Sequence, residues 1–227
     1  MSNYIIDFEK KNKIDKNHVI SFGFPRSGTT LFWNILKDIL EDKIVIKTHI
    51  MRNNFSNNKK IVIYRDIRNS LVSMMRTMVY DSNENNKINL SDFKSFELQF
   101  DSYIDNLIKL IMNNKNVTYV KYEDFINNHN ILYDLLESEF NIKISINKRQ
   151  EISDRYSVKN VKKFYNNNVE GNTFREWDDD TQIHNKHISN VVDNSNNKLY
   201  KIYLSEELIK YINLKYGGIL KYFEYEL

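Results

Sequence analysis

The chain has five glycines and one proline in 227 residues, yet Gly23, Pro25 and Gly28 fall inside one six-residue stretch. That stretch lies in SFGFPRSGTTLFW, Ser21 to Trp33. It follows a short apolar run, His18–Gly23, which reads as a buried strand. It precedes Thr30–Leu40, where residues 31, 32, 35, 36, 39 and 40 are apolar at helical spacing. A strand, a glycine-bearing turn and a helix are the layout of an anion-cradling loop. Backbone N–H groups converge in the turn and the helix N-terminus adds partial positive charge. Glycine serves where the backbone approaches a ligand or takes positive φ, Pro25 stiffens the turn, and hydroxyls on Ser27, Thr29 and Thr30 offer further donors.

The rest of the chain repeats the strand–helix alternation. Ile44–Lys47, Lys60–Tyr64 and Val117–Lys121 are short apolar runs that read as fully buried strands. Ile67–Val79 carries Leu71, Val72, Met75 and Val79 on one helical face. Leu90–Asn113 is a longer helix opened by a Ser91 cap, its inner stripe including Phe93, Phe96 and Phe100 as core. Asn130–Phe140 and Ser205–Tyr222 are two more helices. Such alternation predicts an α/β fold of three layers, a mostly parallel sheet with helices on both faces and a P-loop-like nucleotide site. No repeat or linker divides the chain, so residues 1–227 read as a single domain.

Composition removes several classes. Hydrophobic residues at 41% exclude a disordered chain, and 33 Lys+Arg against 30 Asp+Glu leave +3, too little for a general nucleic-acid binder. Without cysteine there is no disulfide, thiol nucleophile or cysteine-ligated metal. No segment approaches the ~20 apolar residues of a membrane span, and the first residues mix charges, so the expected location is cytoplasmic. HNKH at 184–187 and DDD at 178–180 lack a third ligand at recognised spacing, so they read as solvated loop and no metal is expected.

The nucleoside-triphosphate loop reads G-x-x-x-x-G-K-[ST], but here Thr29 stands at the lysine position and the cation is Arg26. That displacement counts against a kinase or nucleotide hydrolase. FPRSGTTL instead resembles the 5′-phosphosulfate loop of sulfotransferases that use 3′-phosphoadenosine 5′-phosphosulfate (PAPS), written [YF]-P-[KR]-S-G-T-T-[WL]. KIVIYRDIRNSLVSMMR, residues 60–76, is similar to the family's 3′-phosphate segment, with Arg65 at the strand end and Ser73 eight residues later. IVIKTHI resembles its K-T-H segment, and VTYVKYEDF its Y-E-D element.

The resemblance implies sulfuryl transfer from PAPS to a hydroxyl or amine of a small-molecule or saccharide acceptor, with no metal. His49 would be the general base; Arg26 and Lys47 would stabilise charge with Ser27, Gly28, Thr29 and Thr30. The whole loop from Pro25 to Thr30 would hold the 5′ end, Arg65 and Ser73 the 3′-phosphate, and Tyr122 would lie near the adenine. Glu123 and Asp124 read as capping the following helix, and Arg68 as surface or acceptor-side. Lys198 stands where the family has its W-K lysine. The chain departs in three places: Leu31 replaces a tryptophan, with Trp33 two residues late; NVVDNSNN replaces the R-K-G clamp; and the dimer motif is fragmentary, leaving oligomeric state open. His184, Lys186, His187 and Lys201 are candidates to replace the clamp, and the acceptor pocket is expected from Asp81–Gln99 and Val158–His187. The alternatives are a P-loop kinase or hydrolase, which would take Mg·ATP, and a catalytically silent nucleotide-binding protein.

Overall fold

The computed structural model describes residues 17–78, 87–113, 115–157, 159–160 and 198–227. Among these, β1 (His18–Gly23), β2 (Ile44–Thr48), β3 (Lys59–Tyr64) and β4 (Val117–Lys121) form one all-parallel sheet in the order β2-β1-β3-β4. The helices are α1 (Thr29–Ile39), α2 (Ile67–Met78), α3 (Leu90–Met112), α4 (Tyr122–Asn127), α5 (His129–Phe140), α6 (Ile146–Arg155), α7 (Leu199–Tyr203) and α8 (Glu206–Tyr222).

Side chains alternate across a strand, and that alternation divides the core in two. Ile20, Phe22, Ile46 and Val62 face α2, α3, α7 and α8. Val19, Val45, Ile61, Ile63 and Val120 face α1, α4, α5 and α6. Burying both faces explains the continuous apolar runs of the two central strands. β1 is buried throughout, whereas β2 and β4 are partly exposed because they form the sheet edges. Phe93, Phe96 and Phe100 are core, as their spacing predicts.

The register fixes what meets at the carboxyl rim. Phe22 pairs with Thr48, Gly23 with Ile63 and Tyr64 with Lys121, so the strands end nearly level. The chain leaves β1 toward β2 but reaches β3 on β1's other side, which makes the β1/β3 junction the switch point where open α/β sheets bind ligands. The opposite rim is closed. Buried Lys60 donates its Nζ to the carbonyls of Ser56, Asn58 and Lys115 at 3.0–3.2 Å, and the Asn58 amide donates to His18 O at 2.9 Å.

Several local expectations change. Asn89, not Ser91, caps α3: its Oδ1 accepts from Asp92 N–H while the Asp92 carboxylate accepts from Asn89 N–H, a reciprocal capping box. Ser91 sits in the first turn and donates to Asn89 Oδ1. Glu123 and Asp124 lie in the first turn of α4, and Asn128 caps α5. Arg68 is buried rather than on the surface. Its guanidinium pairs with Asp66 at 2.7 Å, donates to Asn213 Oδ1 and Glu226 O, and lies 4.1 Å from the Tyr200 ring centre. Finally, α8 ends in a Schellman turn: Glu224 adopts φ 60°, Tyr225 N–H donates to Leu220 O and Glu224 N–H to Lys221 O. That turn reverses the chain and carries Tyr225 and Glu226 back toward the sheet.

Candidate functional site

The loop after β1 is built from two left-handed residues. Phe24–Ser27 is a β-turn closed by Ser27 N–H on Phe24 O at 3.1 Å. Pro25 occupies its second position and Arg26, at φ 66°, its third, the sign that a type II turn requires. An arginine in that region costs about 1–2 kcal/mol. Gly28 then takes φ 83° at the N-cap of α1, with no side-chain cap and no acidic residue in the first turn. The N-terminal amides of α1 lack intrahelical acceptors and keep their positive field.

Both loop glycines are held by close approach. A Cβ on Gly28 would lie 2.5 Å from the Tyr122 ring, and one on Gly23 would lie 2.3 Å from the Thr29 methyl and 2.6 Å from Ile63. Thr29 is therefore buried against the strand it follows. Ser27 is buried too, and its hydroxyl donates to Phe24 O at 2.6 Å, with Ile63 O at 3.4 Å. This corrects the expectation that all three hydroxyls face an anion: the Ser27 hydroxyl holds the loop together. Thr30 Oγ1 accepts from Lys47 Nζ at 3.3 Å.

Lys47 and His49 reach the loop because β2 runs beside β1. His49 Nδ1 lies 2.6 Å from Gly23 O. A carbonyl only accepts, so Nδ1 carries the proton and Nε2 the lone pair. Burial lowers the His49 pKa to about 4; the Gly23 bond opposes this and the Lys47 charge adds to it. Burial also brings Lys47 down to about 8. Asn106 of α3 accepts from Met51 N–H at 2.9 Å, fixing the chain just beyond the histidine.

On the other side of β1, Arg65 follows β3 and half-buried Ser73 lies on the side of α2 that meets the loop. Arg26 Nε donates to Ser73 Oγ at 2.9 Å, and Arg65 NH1 reaches Arg26 O at 3.4 Å. Burial lowers Arg26 to about 10, with the Arg65 charge contributing. The Arg65 guanidinium stacks 4.5 Å over Tyr122, and its buried Nε has no hydrogen-bond partner. Asp66, next in sequence, gives its carboxylate to Arg68. A half-satisfied buried guanidinium beside an uncapped helix N-terminus fits an anionic ligand.

Arg26, Gly28, Thr30, Lys47, His49, Arg65, Ser73 and Tyr122 thus gather at the carboxyl ends of β1 and its neighbours. Tyr122 is buried under Gly28 and Arg65. Lys198 reaches Glu226 at 3.4 Å, and Lys201 is exposed on α7. Trp33 is a wedge between α1 and β2, its Nε1 donating to Val45 O at 2.8 Å. His184, Lys186, His187, the aspartates at 178–180 and most of the expected acceptor segments lie outside the described residues. Sequence reasoning missed Glu123 as the acceptor of the Tyr225 hydroxyl at 3.0 Å, because the partners are 102 residues apart.

An all-parallel, helix-covered sheet with a glycine-bearing loop at its switch point is a fold that the chain shares with a solved sulfotransferase. Among solved structures the chain is similar to the crystal structure of mouse sulfotransferase SULT7A1 complexed with PAP, with a TM-score of 0.70. The two are 14% identical, and the likeness covers 96% of this chain and 89% of that one. The sequence itself matches no protein-family model and no curated protein. Among the described residues no helix is long and apolar enough to cross a membrane.

Proposed function

We propose that the chain is a sulfotransferase that moves a sulfuryl group from PAPS to a hydroxyl or amine of a small-molecule or carbohydrate acceptor. The observation that carries this is the pairing of two cationic anion-binding features across one switch point. The loop and helix N-terminus at Gly23–Thr30 form one; Arg65, with its unsatisfied Nε, and Ser73 form the other. Two such features suit a nucleotide phosphorylated at both ends. The PAP bound to the similar mouse structure supports the same class of ligand.

PAPS supplies an activated sulfur whose phosphate leaving group departs as the acceptor oxygen or nitrogen bonds to it. His49 Nε2 takes the acceptor's proton, and its aim is set by the Nδ1 bond to Gly23 O. Lys47, Arg26 and the amides of Gly28–Thr30 are assigned to the charge that grows on the oxygens around sulfur, with the Ser27 amide and hydroxyl both spent on holding the loop. Arg65 and Ser73 hold the 3′-phosphate, and Tyr122 backs Arg65.

Calorimetry with 3′-phosphoadenosine 5′-phosphate and adenosine 5′-phosphate tests the reading. Wild-type protein binds the first more tightly, and Arg65→Ala removes that preference with a loss of about tenfold or more for the first alone. Tighter binding of Mg·ATP than of PAPS would overturn the proposal. Transfer of labelled sulfate from PAPS to an acceptor panel then tests the chemistry: His49→Ala abolishes turnover while nucleotide affinity stays within a few-fold.

A further inference from the structure

The segment following α8 touches the neighbours of Arg65 on three sides. Phe223 stacks on Tyr64, the residue before Arg65, with ring centres 4.4 Å apart. The Glu226 carbonyl accepts from Arg68, three residues after it, at 2.7 Å. Between them the Tyr225 hydroxyl donates to Glu123 Oε2 at 3.0 Å, and Glu123 adjoins Tyr122, on which Arg65 stacks. Lys121 Nζ lies 5.1 Å from the Tyr225 ring centre.

Glu123 is an acidic group next in sequence to the tyrosine on which Arg65 stacks, just past the register position where Tyr64 pairs with Lys121. Its carboxylate accepts the Tyr225 hydroxyl, while the Arg65 Nε keeps no hydrogen-bond partner. A carboxylate and a phosphate compete for the same guanidinium fork. Burial raises the Glu123 pKa, and its own backbone N–H, the Tyr225 hydroxyl and then the Arg65 and Lys121 charges oppose that rise.

We propose that Tyr225 is a positioning residue: it restrains Glu123 so that Arg65 keeps its donor edge for the 3′-phosphate of the nucleotide. The inference rests on the 3′-phosphate role given to Arg65. It predicts a suppressor relation that simple structural damage would not produce. Tyr225→Phe removes this restraint and lets Glu123 turn toward Arg65, so binding of 3′-phosphoadenosine 5′-phosphate weakens roughly three- to tenfold. Binding of adenosine 5′-phosphate stays within about twofold, the size of effect expected where no contact is lost. Glu123→Gln removes the competing charge and binds the bisphosphate as well as wild type or better. The double variant matches Glu123→Gln rather than Tyr225→Phe.

Calorimetry on the four proteins decides the matter, with melting midpoints measured alongside. An unchanged Tyr225→Phe, equal losses for both nucleotides, or a double variant as weak as Tyr225→Phe overturns the proposal and leaves the sulfotransferase reading standing. A wild-type protein with no preference for the 3′-phosphorylated nucleotide overturns both.

Discussion

His49 and Lys47 stand two residues apart at the end of β2, and burial moves both toward neutrality, one to about 4 and the other to about 8. For kcat/KM toward the donor, which reports the free protein, this predicts a plateau between those values. Activity falls below about pH 4 as Nε2 is protonated and above about pH 8 as Lys47 loses its charge. Lys47→Arg removes the alkaline limb, because guanidinium titrates far higher. An acid limb near ~6.5, the value of free histidine, would show His49 to be hydrated in solution, and a limb unchanged in His49→Gln would remove it as the base. The same shift acts on stability. Unfolded chain takes up the His49 proton from about pH 6.5 downward, whereas the folded protein resists until about 4. The stability this group contributes is complete above about 6.5 and is lost as pH falls toward 4, so urea midpoints of His49→Gln vary less across that interval.

The loop between β1 and α1 shows which parts of an element its sequence can announce. Gly23 and Gly28 were legible because glycine is rare in this chain and both flank one turn. Their reasons are tertiary: the Thr29 methyl and Ile63 against one, the Tyr122 ring against the other. Arg26 in a left-handed conformation could not be read, since no propensity favours it there. Nor could α4 and α7, at six and five residues too short for a periodic stripe, or α6, which buries only Ile152. The α3 cap went to Asn89 over Ser91 because extended backbone at 89 lets its side chain reach Asp92 N–H. Glycine substitutions separate these reasons. Gly28→Ala combines positive φ with a ring clash and costs at least about 2 kcal/mol. Gly218→Ala in α8 meets nothing within 4 Å and gains about 0.5–1 kcal/mol from helix propensity. Thermal midpoints moving in opposite directions check the pair.

Across the whole molecule, Arg68 joins parts that lie far apart in sequence. It binds Asp66 at the start of α2, Asn213 of α8, Glu226 beyond α8 and the Tyr200 ring of α7. Asn69 adds a bond by accepting from Tyr200 N–H at 3.1 Å. Removing the cation alone strands a buried carboxylate, so Arg68→Met costs about 3–5 kcal/mol in urea unfolding, and adding Asp66→Asn recovers part of it. The parallel sheet with a core on both faces was legible from apolar runs; the strand order was not, and neither was this hub, because an arginine in a polar stretch carries no sign that it is buried. The floor of the sheet has its own consequence. With Lys60 knotting three carbonyls together below, the turns above the strands' far ends take no part in holding that rim closed. Rewriting those upper turns to accept a different molecule would leave the knot, and hence the assembly of the strands, undisturbed.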